Sequence, residues 1–111
     1  MDSREASIVG YTPETTAFSV IGHARNKGPG ANSSDAANNL EITLVQKYFR
    51  EIAGYLLNAD EVHVTGTGTI QEEFVRYLGE TAQFKKTSVS DSTSNPMSDE
   101  KIVEFVSAHF N

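Results

Sequence analysis

The 111-residue sequence predicts an α/β domain of order ββαβαβα: a mixed sheet with an N-terminal antiparallel hairpin and helices packed on it. Three observations carry this. Two β-rich runs near the start are separated by a proline turn, a long helix with two apolar stripes follows a polar stretch, and short strands then alternate with amphipathic helices. Such alternation implies strands joined by right-handed crossovers, all within a single domain.

Residues 7–11 (SIVGY) and 17–24 (AFSVIGHA) are the hairpin strands. Thr12-Pro13-Glu14-Thr15-Thr16 joins them, with proline at the second turn position, where its fixed φ is already suitable. In the second strand Phe18, Val20 and Gly22 make one face apolar, against Ser19, Ile21 and His23 on the other. Residues 1–6 are expected to be a flexible N-terminus. Residues 26–39 (NKGPGANSSDAANN) hold no bulky apolar side chain, have little to bury, and are expected to form a long mobile loop. The helix that follows spans 40–57. Ile42, Val45, Phe49, Ile52 and Leu56 recur at spacings of 3 and 4, and Leu40, Leu44, Tyr48 and Tyr55 add a second stripe, so burial is expected around much of its girth.

Asn58-Ala59-Asp60 ends that helix, and 61–65 reads as a short apolar strand suited to the centre of a partly parallel sheet. Thr69 opens the next helix, with Glu72 three residues on completing a capping box, and Ile70, Phe74, Tyr77 and Leu78 face inward. Residues 86–90 are a weaker strand and 91–97 a polar loop. Ser98 caps the last helix, Asp99 and Glu100 suit its positive end, and Ile102, Val103, Val106 and Phe110 form its apolar face.

Fifteen acidic against nine basic residues give a net charge of −6, too few cations for a broad phosphate-gripping surface. Strong independent nucleic-acid binding is therefore not expected. Two short basic clusters, Arg25-Asn26-Lys27 and Lys85-Lys86, offer local contacts only. The absence of cysteine removes disulfides, thiolate metal sites and cysteine nucleophiles. The opening residues show no secretory pattern, and no run approaches the roughly 18 apolar residues of a membrane span. A cytoplasmic protein with no membrane partner is expected.

The stretch VHVTGTGTIQEEF, residues 62–74, places a glycine-rich turn between strand and helix, where many α/β proteins hold a phosphate. The dinucleotide fingerprint needs a third glycine where Gln71 stands, and a P-loop needs a lysine that is absent nearby. What remains is a generic nest of helix N-terminal amides with three threonine hydroxyls, so Gly66, Thr67, Gly68 and Thr69 are the candidate ligand-binding residues. His23, His63 and His109 lack metal-ligand spacing; His63, between Val62 and Val64, reads as a neutral, hydrogen-bonded sheet histidine. The serine-rich run KKTSVSDSTSNPMS lacks the Gly-x-Ser-x-Gly elbow of a nucleophile. No metal, cofactor or catalytic residue is expected.

The element order, the Gly66-Thr67-Gly68 turn after a strand, and the following helix bearing Phe74 resemble the central domain of archaeal and eukaryotic peptide chain release factors, of Pelota and of their bacterial release-factor-like relatives. The resemblance spans about residues 7–106 and implies a core related to ribonuclease H. In release factors the long loop carries Gly-Gly-Gln for peptidyl-tRNA hydrolysis; here it reads Lys27-Gly28-Pro29-Gly30-Ala31-Asn32, without that motif. The resemblance thus implies a noncatalytic domain that binds the translation apparatus, a ribosome or tRNA-related partner, as Pelota does without the motif. Arg25, Lys27, Gly28, Gly30 and Asn32 are the candidate partner-binding residues. The chain is then a lone central-type domain or a piece of something larger. Two other readings stand beside it: a small nucleotide- or phosphate-binding protein or hydrolase using the glycine turn, and a scaffold that self-associates, as a homodimer, through the hairpin edge.

Overall fold

The structure, a computed structural model, describes residues 1–26 and 34–110, with the side chains of 34–42 outside that description. The elements run β1 (Glu5–Thr12), β2 (Ala17–Arg25), α1 (Ser34–Gly54), β3 (Glu61–Gly66), α2 (Thr69–Gly79), a 3-10 turn (Ala82–Phe84), β4 (Ser88–Thr93) and α3 (Asp99–Phe110). The ββαβαβα order is as the sequence predicts.

The hairpin forms, with β1 and β2 paired antiparallel. Thr15 N–H donates to the Thr12 carbonyl at 3.2 Å across Pro13, closing the turn, and Thr16 takes a positive φ of 51°. The expected alternation in β2 is broken by a bulge at Ile21, where the register passes from Ile8–Gly22 to Val9–Val20: Phe18 and Val20 share a face with His23, towards α3, and Gly22 lies on the other, against Tyr55. The N-terminal residues are not a free arm: Glu5 and Ala6 belong to β1, and the Met1 nitrogen donates to the Thr65 carbonyl at 2.6 Å.

The predicted single mixed sheet is instead two small sheets, the antiparallel pair β1-β2 and the parallel pair β3-β4. Among the described residues β3 pairs with β4 alone, so it is an edge of its sheet and not a central strand. Helix α1 begins at Ser34, so 34–39 is helical rather than loop. Ser34 and Asp35 are residue types favoured at helix starts, and Ala36 and Ala37 propagate a helix without needing apolar bulk. Residues 27–33, the rest of the expected loop, lie outside the described residues. At its far end α1 stops at Gly54, and Tyr55 and Leu56 continue in tighter turns, donating to Ile52 and Ala53.

The strand expected at 86–90 lies at Ser88–Thr93 because the chain first uses a 3-10 turn to bury Phe84, with Thr87 N–H bonded to the Phe84 carbonyl. The core gathers Tyr48, Phe49 and Ile52 of α1, Val62 and Val64 of β3, Phe74 and Leu78 of α2, Phe84, and Ala6, Ile8 and Ala24 of the hairpin. Helix α3 buries no residue fully. Ser98 caps it as expected, its Oγ accepting from Lys101 N–H at 3.3 Å. Among the described residues no helix is long and apolar enough to cross a membrane.

Candidate functional site

The glycine turn leaves β3 and enters α2 one residue away from the predicted cap. Gly68 is the N-cap and Thr69 the first helical residue, so the expected Thr69–Glu72 capping box does not form. Gln71 makes the reciprocal bond instead: its Oε1 accepts from Gly68 N–H at 3.1 Å, while its Nε2 donates to Thr93 Oγ1 at 3.3 Å. Gln71 is fully buried. Its carboxamide therefore sits where an anion would lie in a nest of free amides. Gly66 is buried against it; a Cβ there would meet Gln71 Oε1 at 2.6 Å and the Met1 carbonyl oxygen at 2.8 Å. Thr67, Gly68 and Thr69 are exposed. Beside Thr67 a cavity of about 70 Å³ is lined by Asp2 and Glu5, whose charge opposes an anion.

Of the partner-loop residues, Arg25 ends β2, exposed and 3.9 Å from Glu5; Lys27, Gly28, Gly30 and Asn32 lie outside the described residues. The structure nevertheless relates the strand end to the turn. Asn26 N–H donates to the Arg4 carbonyl at 2.7 Å, its side chain to the Ser3 carbonyl at 3.2 Å, and Met1 reaches Thr65 and Gly66. Residues 1–5 thus bridge both stretches at one end of the molecule.

Parallel register sets His63 beside Ser90 and Thr65 beside Ser92. His63 Nδ1 lies 2.8 Å from Ser90 Oγ and Nε2 2.9 Å from Ser92 Oγ; Ser92 donates its hydroxyl to Thr65 Oγ1 at 3.0 Å, and Thr65 donates to Ser94 Oγ at 2.8 Å. Because the Ser92 proton is given to Thr65, Ser92 accepts from Nε2–H, which leaves Nδ1 to accept from Ser90. The neutral imidazole fits this chain. Burial first, and then the His109 ring stacked at 3.9 Å, hold the His63 pKa below its ordinary value, with Asp91 pulling weakly upward. The sheet histidine foreseen in the sequence is present; the hydroxyl ladder was missed, although its signal is the two-residue spacing of His63 and Thr65 against Ser90, Ser92 and Ser94.

Neither serine cluster has the order nucleophile, base, carboxylate. At His63 the second nitrogen faces a hydroxyl. At the hairpin, Asp99 stands in the middle, accepting from Ser7 Oγ at 2.7 Å and contacting His23 Nε2 at 2.8 Å. Its carboxyl is held below the usual carboxylate range by the Ser7 and then the His23 hydrogen bond. This group ties α3 to the hairpin. Among the described residues no cluster of His, Cys, Asp or Glu is placed to hold a metal.

Comparison of the chain with protein families, with curated proteins and with solved structures finds no match.

A larger concavity lies elsewhere, between the two sheets. A cleft of about 630 Å³ is walled by residues 6–11 of β1 on one side and 61–65 of β3 on the other, with Ile52, Tyr55 and Leu56 after and within α1 above and Ile102, Val106 and Phe110 of α3 below. Three large apolar side chains that stay exposed, Tyr11, Ile21 and Tyr55, rim it. A single mixed sheet would leave no such cleft; it exists because the two strand pairs stay apart.

Proposed function

We propose that this chain is a noncatalytic binding domain of release-factor-like kind, acting on the translation apparatus. The observation that supports it best is convergence: the end of β2 and the Thr65-Gly66 entry to the glycine turn both contact residues 1–5, and Thr67 shares a cavity with Met1, Asp2 and Glu5. This end of the molecule presents backbone and hydroxyl groups with two exposed arginines, Arg4 and Arg25, a surface suited to docking on a partner that supplies most of the contacts. With net charge −6 the domain is held by shape and local contacts rather than by counterion release. A phosphate-ligand reading of the turn is less well supported, because Gln71 takes the Gly68 amide and Asp2 and Glu5 stand nearby.

Co-sedimentation with ribosomes from a native lysate at low salt tests the reading. The wild-type chain is expected in the ribosomal pellet, and Arg25→Glu with Thr67→Glu, both at exposed positions, is expected to lower the bound fraction several-fold. Equal absence of both proteins from stalled and resting ribosome pellets sinks the translation reading.

A further inference from the structure

We infer that the cleft between β1 and β3 is a receptor for one extended segment of a partner protein, about six residues long, which enters as a β-strand and joins the two sheets. This rests on the reading of the chain as a binding domain but not on which partner it binds.

The walls of the cleft are strand edges. A strand presents alternate residues to either face, so a wall made by a sheet face would show every second residue. Here every residue from 6 to 11 and from 61 to 65 lines the space. Each of these strands is paired on one side only, β1 to β2 and β3 to β4, and in each ladder part of the backbone N–H and C=O groups points away from the partner strand. Those outward groups face the cleft from both sides, save the Thr65 carbonyl, which the Met1 nitrogen already occupies at the far end of β3. An apolar small molecule cannot satisfy two opposed rows of donors and acceptors at strand spacing; another strand can.

Above and below, the cleft is closed by side chains. Ile52, Leu56 and Phe74 lie over it and Ile102, Val106 and Phe110 under it, so an inserted strand buries both faces against apolar groups. A strand covered on both faces is an almost unbroken apolar run, here rich in valine, isoleucine and threonine. The mouth is rimmed by Tyr11, Ile21 and Tyr55, at 53%, 47% and 43% exposure, high for large apolar residues gathered at one feature. Electrostatics fix the polarity of the occupant. The acidic side chains lining the cleft are Asp60 and Glu61, both at the start of β3, and no lysine or arginine lines it. Met1, bonded to the Thr65 carbonyl, stands at the other end of β3. The occupant therefore carries a lysine or arginine at the Asp60–Glu61 end. With the segment in place the strand order becomes β2-β1-segment-β3-β4, a five-stranded mixed sheet.

Two fluorescein-labelled heptapeptides test this on the whole chain, Lys-Val-Thr-Ile-Val-Thr-Val and its reversed order, each alongside a copy N-methylated at alternate residues. Fluorescence anisotropy is expected to show saturable binding of one of them, weakened at least tenfold by N-methylation and at least tenfold by Asp60→Lys with Glu61→Lys, two exposed positions whose exchange leaves the core intact. Hydrogen exchange is expected to show amides of β1 and β3 gaining protection together on peptide addition. The inference is overturned if neither peptide binds, if the N-methylated copies bind equally, or if the outward amides of β1 and β3 are already protected in the free monomer. It is also overturned if sedimentation shows a dimer that the peptide cannot dissociate, since a second copy then fills the cleft. Ribosome co-sedimentation is read separately, so peptide binding without ribosome binding removes only the translation reading.

Discussion

Gly66 is confined on two sides by Gln71 and Met1, whereas a side chain at Gly68 would project into open space. The two glycines, only two residues apart, therefore respond oppositely to substitution. Gly66→Ala forces the buried Gln71 carboxamide or the Met1 carbonyl to shift, and overpacking of this kind costs about 1–3 kcal/mol. Gly68→Ser adds no clash and supplies the hydroxyl that the N-cap of α2 lacks, so it is expected to change stability by a few tenths of a kcal/mol, toward stabilisation. Urea unfolding of the two variants checks the contrast. A turn built to cradle phosphate needs both glycines for close backbone approach, and equal intolerance at the two positions would contradict the account of Gln71 as the occupant of the turn. Gln71 itself was hard to foresee, because a polar residue in a helix first turn is normally exposed; it is buried here because Gly68 N–H and Thr93 Oγ1 together satisfy its amide.

At the scale of elements, α3 is attached differently from the rest. It buries no residue fully and is held by Asp99 on Ser7 and His23 at its start, and by His109, Phe105 and Phe110 on His63 and Phe18 towards its end. The His63 pKa is lowered in the fold, so the folded state binds fewer protons than the unfolded one around pH 6 and stability rises with pH there. The contribution is present above the ordinary histidine value of about 6.5 and is lost as pH falls below it. Asp99, held low by Ser7 and His23, stays ionised through that window, so acid is expected to loosen the end of α3 near His109 first. Protection factors, which correct amide exchange for its intrinsic slowing in acid, should fall in 99–110 between pH 7.5 and 5.5 more than in α2, and His63→Asn should flatten the difference; an equal fall across both helices would contradict it. Elements differed in how far the sequence betrayed them. The pairing of the hairpin, α2 and the cap of α3 were legible because β-rich runs, helical spacing and Ser98 are local signals, whereas the bulge at Ile21, set by pairing with β1, was not. β4 was displaced because its stability comes from the His63–Ser90 and Ser92–Thr65 side-chain bonds across the register, which no window of the strand itself contains. The start of α1 was missed because an apolar-pattern search finds nothing to periodise among Ser, Asp, Ala and Asn.

The whole molecule is somewhat extended: its radius of gyration is 14.6 Å, with extents of 49 × 31 × 22 Å, against about 13 Å for a compact chain of this length. The two sheets do not merge, and the helices link them: α1 and α3 pack on the hairpin and α2 on the parallel pair. Phe49 is the hub, 5% exposed, with ring centroids 6.0 Å from Tyr48, 5.3 Å from Phe74 and 5.6 Å from Tyr77. Removing it takes contacts from α1 and α2 at once. Phe49→Ala is expected to cost about 3–5 kcal/mol, a large part of the 5–15 kcal/mol typical of a domain. Phe105 of α3, half-buried and with its ring centroid 5.9 Å from that of His63, belongs to the periphery, so Phe105→Ala should speed exchange in α3 while moving the global urea midpoint much less. Far-UV circular dichroism against urea, paired with exchange resolved by element, separates the two effects. Phe49→Ala should lower the midpoint with the slope unchanged, as one cooperative unit losing its centre. If Phe105→Ala lowered the midpoint as far, α3 would belong to that unit, and the floor of the cleft between the sheets would be as firmly built as its roof.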